Sequence, residues 1–154
     1  MKNQIVLGLD PGSRTTGFAV VEFTATTRNV LICDVIKLDK IPEHQDRLKE
    51  LFEHIQQLIE VYKPTTAAVE TPVYGKDPLA MLKLGRAQAA CMLAPKLAGL
   101  TITEYYPKSV KKASLMFCAK TLFFNVGISS RKGVLISALA NKVRLPIPIS
   151  EKGL

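Results

Sequence analysis

Metal-binding and cross-linking side chains are scarce in this chain of 154 residues, which has two histidines and three cysteines. His44 and His54 are far apart, and Cys33, Cys91 and Cys118 are isolated, with none of the Cys-x-x-Cys or Cys/His spacing that a zinc centre needs. The odd count also argues against a disulfide framework and for buried free thiols. No window approaches the roughly 18 consecutive apolar residues of a membrane span, so no membrane partner is expected. Met1-Lys2-Asn3-Gln4 leads straight into a strand-like run and is too brief for a signal peptide, which makes the cytoplasm the expected location. There is no internal repeat, low-complexity tract or linker. Residues 1–154 are therefore expected to form one domain, long enough to bury a sizeable core.

One further absence is local. Residues 114–154 carry six basic side chains and a single acidic one, Glu151, whereas residues 1–113 carry 15 basic and 12 acidic. The net charge of +8 and the pI of about 9.5 fit a polyanionic partner. The hydrophobic content of 47% with 22% charged residues is that of an ordinary globular protein.

Along the chain the hydrophobic period changes. Gln4 to Leu9 is a short apolar run ending at Asp-Pro-Gly, the pattern of a buried strand that stops at a turn. Gly17 to Phe23 and Asn29 to Lys37 are rich in β-branched and aromatic residues and predict two more strands, in an antiparallel meander. From Glu43 to Tyr62 the apolar residues Leu48, Leu51, Phe52, Ile55, Leu58, Ile59 and Tyr62 recur at three- and four-residue steps. That predicts an amphipathic helix docked on a sheet and ended by Pro64. Thr66 to Glu70 predicts a short strand that finishes on a carboxylate.

A second helix is predicted over about Pro78 to Ala94, with Leu79, Leu82 and Met92 among its apolar positions. Its small residues Gly85, Ala87, Ala89 and Ala90 allow another element to approach, and Pro95 is expected to end or kink it. Leu100 to Glu104 predicts a further strand, Pro107 to Lys112 a helix start and Gly133 to Val143 a helix. This order describes an α/β fold with a mixed sheet, three antiparallel strands then parallel strands, flanked by helices.

Two carboxylates fall at strand ends. Asp10 closes the first strand, and Glu70 closes the strand after the long helix. Groups at adjacent strand ends of an open α/β sheet converge on one crevice. Two carboxylates there, without histidine or cysteine, favour a hard cation such as Mg²⁺ or Mn²⁺. Taken singly, Asp10 also reads as a turn residue before Pro-Gly and Glu70 as a surface cap.

The string Leu7-Gly8-Leu9-Asp10-Pro11-Gly12-Ser13-Arg14-Thr15-Thr16-Gly17-Phe18 resembles the opening motif of RuvC-type crossover junction endodeoxyribonucleases. Three further blocks follow in that family's order and spacing: Val69 to Asp77, Leu82 to Gln88, and Glu104 to Lys112. The resemblance covers roughly residues 4–113. It implies an RNase H-like fold and a homodimer that cleaves four-way DNA junctions (Holliday junctions) in recombination and repair, working with a branch-migration helicase complex. It also implies two Mg²⁺ ions, with Mn²⁺ as a substitute, held by four carboxylates. These ions activate a water and stabilise the leaving oxygen of a phosphodiester. Asp10 and Glu70 match the first two acids, with Asp10 between the metals and Glu70 on one of them. Lys76 falls within the second block. Lys83, Lys108, Lys111 and Lys112 match basic positions that face DNA, and Tyr74 an aromatic that stacks at the junction centre.

The remaining two acids of the family lie on a C-terminal helix in an Asp-x-x-Asp-Ala arrangement. After Glu104 this sequence holds only Glu151 and no aspartate, and no histidine follows His54. Three explanations stand side by side. The helix is stripped of its acids, with Val134 and Ser137 in their places; the acids lie beyond Leu154; or residues 114–154 derive from a disrupted reading frame. Two carboxylates supply too little negative charge for two closely spaced Mg²⁺ ions, so impaired cleavage is expected in each case. Two rival readings remain. One is a non-catalytic module that binds branched DNA through basic residues and shape. The other is a nucleotide-binding protein of the sugar kinase, heat-shock chaperone and actin superfamily, which needs two such domains.

Overall fold

The computed structural model describes residues 4–73 and 75–106. Among these residues five strands and two helices follow in the order β1 (Gln4–Asp10), β2 (Thr15–Phe23), β3 (Arg28–Lys37), α1 (His44–Tyr62), β4 (Thr66–Glu70), α2 (Pro78–Leu97) and β5 (Thr101–Tyr105). The strands form one sheet of order β3-β2-β1-β4-β5. β1, β2 and β3 pair antiparallel, whereas β4 runs parallel to both β1 and β5. This is the mixed α/β sheet the sequence implies. The helix starts expected beyond Tyr106 lie outside the described residues.

Alternation along the strands sorts the side chains onto two faces. On one, Leu7, Leu9, Phe18, Val20, Ala67 and Val69 pack against both helices. The periodic positions of α1 behave as their spacing demands: Leu51, Ile55, Leu58 and Ile59 are buried, and Leu48, Phe52 and Tyr62 pack partly against them. Leu51 and Ile55 are fully enclosed, and truncating either to alanine costs about 2–5 kcal/mol. Val6, Ala19, Val21, Phe23 and Ala68 form a smaller buried cluster on the opposite face.

The helix ends follow from local chemistry. The Arg47 guanidinium donates to the carbonyl oxygens of Ile41 and Pro42, which fixes the chain entering α1. α1 stops at Lys63, whose left-handed backbone (φ 48°) lets its N–H reach the Ile59 carbonyl, with Pro64 next in the chain. Asp77 caps α2 by accepting from the amides of Leu79 and Ala80 at 2.9 and 3.2 Å, and Pro78 occupies the first turn, where its missing N–H costs nothing.

α2 departs from expectation in three ways. It runs through Pro95 to Leu97 instead of ending there, because a proline so close to the C-terminus removes only one intrahelical bond. Beyond it the amides of Ala98 and Leu100 still reach the carbonyls of Ala94 and Pro95. Of the small residues, Ala87 is buried together with Cys91 and Ala94, but among the described residues no element approaches Gly85. Leu79 and Leu82 point outward, and only Met92 of the three expected apolar positions packs against the core. β5 is one residue later than expected. Of the thiols, Cys91 is buried, Cys33 only half-buried, and Cys118 outside the described residues.

Candidate active site

The parallel pairing of β1 with β4 aligns Leu9 with Val69, so Asp10 and Glu70 are the next residues along two neighbouring strands. Each lies one residue past a side chain on the helix-bearing face and therefore shares the opposite face with Val6 and Ala68. Neighbouring strands are about 4.8 Å apart, so two carboxylates in this relation can reach one cation. Gly17 pairs directly with Asp10 on the other side. A β-carbon built at Gly17 would meet the Asp10 Cβ at 3.5 Å and its Oδ2 at 3.8 Å, which places this carboxyl group along the Gly17 backbone.

No other carboxylate joins them among the described residues, where no cluster of three metal-ligating side chains occurs. Glu104 pairs with Val69 and so lies on the helix-bearing face, where its Oε2 accepts from Gln88 Nε2 at 3.0 Å. Asp77 is committed to capping α2. Tyr105 pairs with Glu70 on the Asp10 face. Burial pushes the Tyr105 phenol up, and a hydrogen bond with Thr103 opposes that shift. Its carbonyl accepts from the Thr71 amide at 2.8 Å and anchors the chain as it leaves Glu70. On the helix side, burial pushes the Cys91 thiol up to about 12, and the Asp10 carboxylate adds to the shift.

The loop joining β1 to β2 is held by side-chain-to-backbone bonds that no sequence periodicity announces. Thr16, fully buried, donates through its hydroxyl to the Gly12 carbonyl at 3.0 Å and accepts from the Gly12 amide at 3.2 Å. A β-carbon on Gly12 would lie 2.0 Å from the Thr15 carbonyl oxygen, so only glycine fits.

Lys76 is exposed in the segment between Glu70 and α2, and Lys83 is exposed on α2. Tyr74, Lys108, Lys111 and Lys112 lie outside the described residues. The sequence did not single out a basic group near the start of α1. There Arg86, Arg47 and Lys83 together with burial depress the His44 pKa, burial being the larger cause. Both ring nitrogens of His44 are shielded and have no hydrogen-bond partner among the described residues.

Comparison with known proteins assigns this arrangement to a family. The model of the crossover junction endodeoxyribonuclease RuvC family matches residues 6–121. The chain belongs to the RuvC family. It is 43% identical over 109 residues to the crossover junction endodeoxyribonuclease RuvC of Salinibacter ruber, covering 71% of this chain and 61% of that protein. To the RuvC of Rhodospirillum rubrum it is also 43% identical, over 108 residues, 70% of this chain and 64% of that protein. The chain thus spans about three fifths of the length of the curated relatives it matches. Among solved structures, T. thermophilus RuvC in complex with Holliday junction substrate superposes with a TM-score of 0.76 at 21% identity, covering 92% of this chain and 95% of that one. Fowlpox virus resolvase in complex with Holliday junction DNA gives a TM-score of 0.55 at 14% identity. These likenesses establish the RuvC-type, RNase H-like fold.

Proposed function

We propose that this chain is a structure-selective endonuclease of four-way DNA junctions that depends on a divalent cation and is impaired in cleavage. The observation that carries this reading is the register of β1 and β4, which ends two adjacent parallel strands on Asp10 and Glu70, on one face of the sheet, in a member of the RuvC family. The donor set fits one hard cation of the Mg²⁺ or Mn²⁺ class, which accepts one or two carboxylates and completes its shell with water and phosphate oxygen. It does not by itself fit two. When bound, such an ion supplies an acidified water and neutralises charge on the phosphodiester. Asp10 and Glu70 hold it against the sheet, while Lys76 and Lys83 neutralise neighbouring phosphates. Tyr74 would stack on a base, and Lys108, Lys111 and Lys112 would extend the basic track.

The outer face of α2 supports a homodimer. Leu79, Leu82, Leu93 and Leu97 are 62, 51, 53 and 68% exposed and fall on one stripe of the helix. Such a stripe invites a symmetric partner. A branch-migration helicase as further partner, and the cytoplasm as location, rest on the family alone; among the described residues no helix is long and apolar enough to cross a membrane.

The test is incubation of the full chain with a labelled four-way junction and Mg²⁺, beside Asp10→Asn and Glu70→Gln. Slow, Mg²⁺-dependent nicking lost in both variants supports the reading, and efficient paired nicking refutes the impairment. Junction binding that falls steeply with salt and ignores both the cation and Asp10→Asn would establish a non-catalytic branched-DNA module instead.

A further inference from the structure

Thr16 is the one polar side chain among the described residues that is buried outright. A hydroxyl enclosed in a core is costly unless both its donor and its acceptor capacity are used. Here both are spent on a single residue, Gly12, through its amide and its carbonyl. Gly12 stands two residues after Asp10, and Thr16 immediately precedes Gly17, the partner of Asp10 in the β1–β2 ladder. Thr16 pairs with Ile36, so it lies on the helix-bearing face, away from the Asp10 carboxylate. It does not act by contact with the site. The same turn is held from outside by the Arg14 carbonyl, which accepts from the Leu38 amide at 2.8 Å.

From this geometry we infer that Thr16 is a positioning residue: it locks the Pro11–Arg14 turn, and the locked turn presents the Asp10 carboxylate beside Glu70 for a divalent cation. The inference rests on the cation site proposed above. A hydroxyl is required because only a group that both donates and accepts can satisfy the Gly12 amide and carbonyl together. Serine keeps that chemistry, whereas valine keeps the shape and leaves both backbone groups unpaired.

The probe is Mn²⁺ alone, titrated into the full chain and followed by paramagnetic water-proton relaxation, with exchange of the Gly12 amide measured alongside. Thr16→Val is expected to weaken Mn²⁺ binding roughly three- to tenfold, the size of effect of a residue that acts on a site without touching it, and to speed Gly12 exchange. Thr16→Ser is expected to retain binding within about twofold, since its hydroxyl keeps both bonds to Gly12. Ile55→Val, which loosens the core without touching the turn, should leave Mn²⁺ affinity unchanged. Equal Mn²⁺ affinity in Thr16→Val and wild type, with Gly12 exchange accelerated, overturns the positioning role and leaves the cation site standing. Where valine does not give a folded chain, Thr16→Ala and Thr16→Cys replace it under the same criterion. Wild type that binds Mn²⁺ no better than Asp10→Asn overturns the cation site itself.

Discussion

Two glycines of one motif give opposite answers to the same substitution, and the contrast tests the geometry of the β1–β2 turn. At Gly12 a methyl group would lie 2.0 Å from the Thr15 carbonyl oxygen, where ordinary contact begins near 3.4 Å. Relief therefore needs a displacement of about 1.4 Å (3.4 − 2.0) of backbone, since no flexible side chain is available to yield. A shift of that size breaks both bonds between Thr16 and Gly12, now 3.0 and 3.2 Å long. Each lost bond is worth about 0.5–1.5 kcal/mol, and stranding the buried hydroxyl adds about 1 kcal/mol or more, so Gly12→Ala should destabilise by roughly 2–4 kcal/mol.

At Gly17 the nearest atoms lie at 3.5 and 3.8 Å, which is ordinary contact. Alanine in a strand also spares the entropy that glycine loses, so Gly17→Ala should be within about 1 kcal/mol of wild type. Urea unfolding followed by circular dichroism measures both. A Gly12→Ala chain within about 0.5 kcal/mol of wild type, inside the usual range of a harmless surface change, would show that the turn is not closed as described.

Cys91 should resist iodoacetamide at pH 8 until the chain unfolds. Its thiol is pushed from 9.0 to about 12, which lowers the thiolate fraction about a thousandfold, while half-buried Cys33 reacts before it; mass spectrometry of these two sites reads the order. His44, its folded-state pKa depressed below the ordinary 6.5, resists a proton that the unfolded chain accepts. Stability should therefore fall as pH drops through the region of 6.5, and His44→Gln should flatten that slope in urea titrations between about pH 7.5 and 5. Asp77→Ala removes both cap bonds of α2 and should cost about 1 kcal/mol, read as a lowered urea midpoint with an unchanged slope.

The legible parts of the fold are those with a single hydrophobic face. α1 buries one stripe and exposes charge on the other, so its period, its N-terminus near Glu43 and its end at Pro64 all stood out in the residues. The pair Asp10 and Glu70 was visible for the related reason that apolar strands end abruptly on carboxylates. α2 is different. Ala87, Cys91 and Ala94 face the core while a leucine stripe faces outward, so apolar residues surround the helix and no period marks the buried side. Thr16 was hidden for another reason. Its partners are backbone atoms four residues away, and such bonds leave no trace in side-chain patterning. β1 ran one residue further than its apolar run because pairing with Gly17 carries the strand through Asp10. The missing C-terminal acids and the basic stretch from Lys108 to Lys112 fall outside the described residues.

The strand order also determines how the molecule comes apart. Among the described residues β3 and β5 have neighbours on one side only, whereas β1 and β4, which carry the two acids, are flanked on both. Edge strands open first in native-state fluctuations, and interior ones only when the whole domain does. The two carboxylates, sixty residues apart along the chain, are thus joined by the last hydrogen bonds to exchange. Fraying at either border would leave the juxtaposition of Asp10 and Glu70 intact, and its loss should coincide with global unfolding.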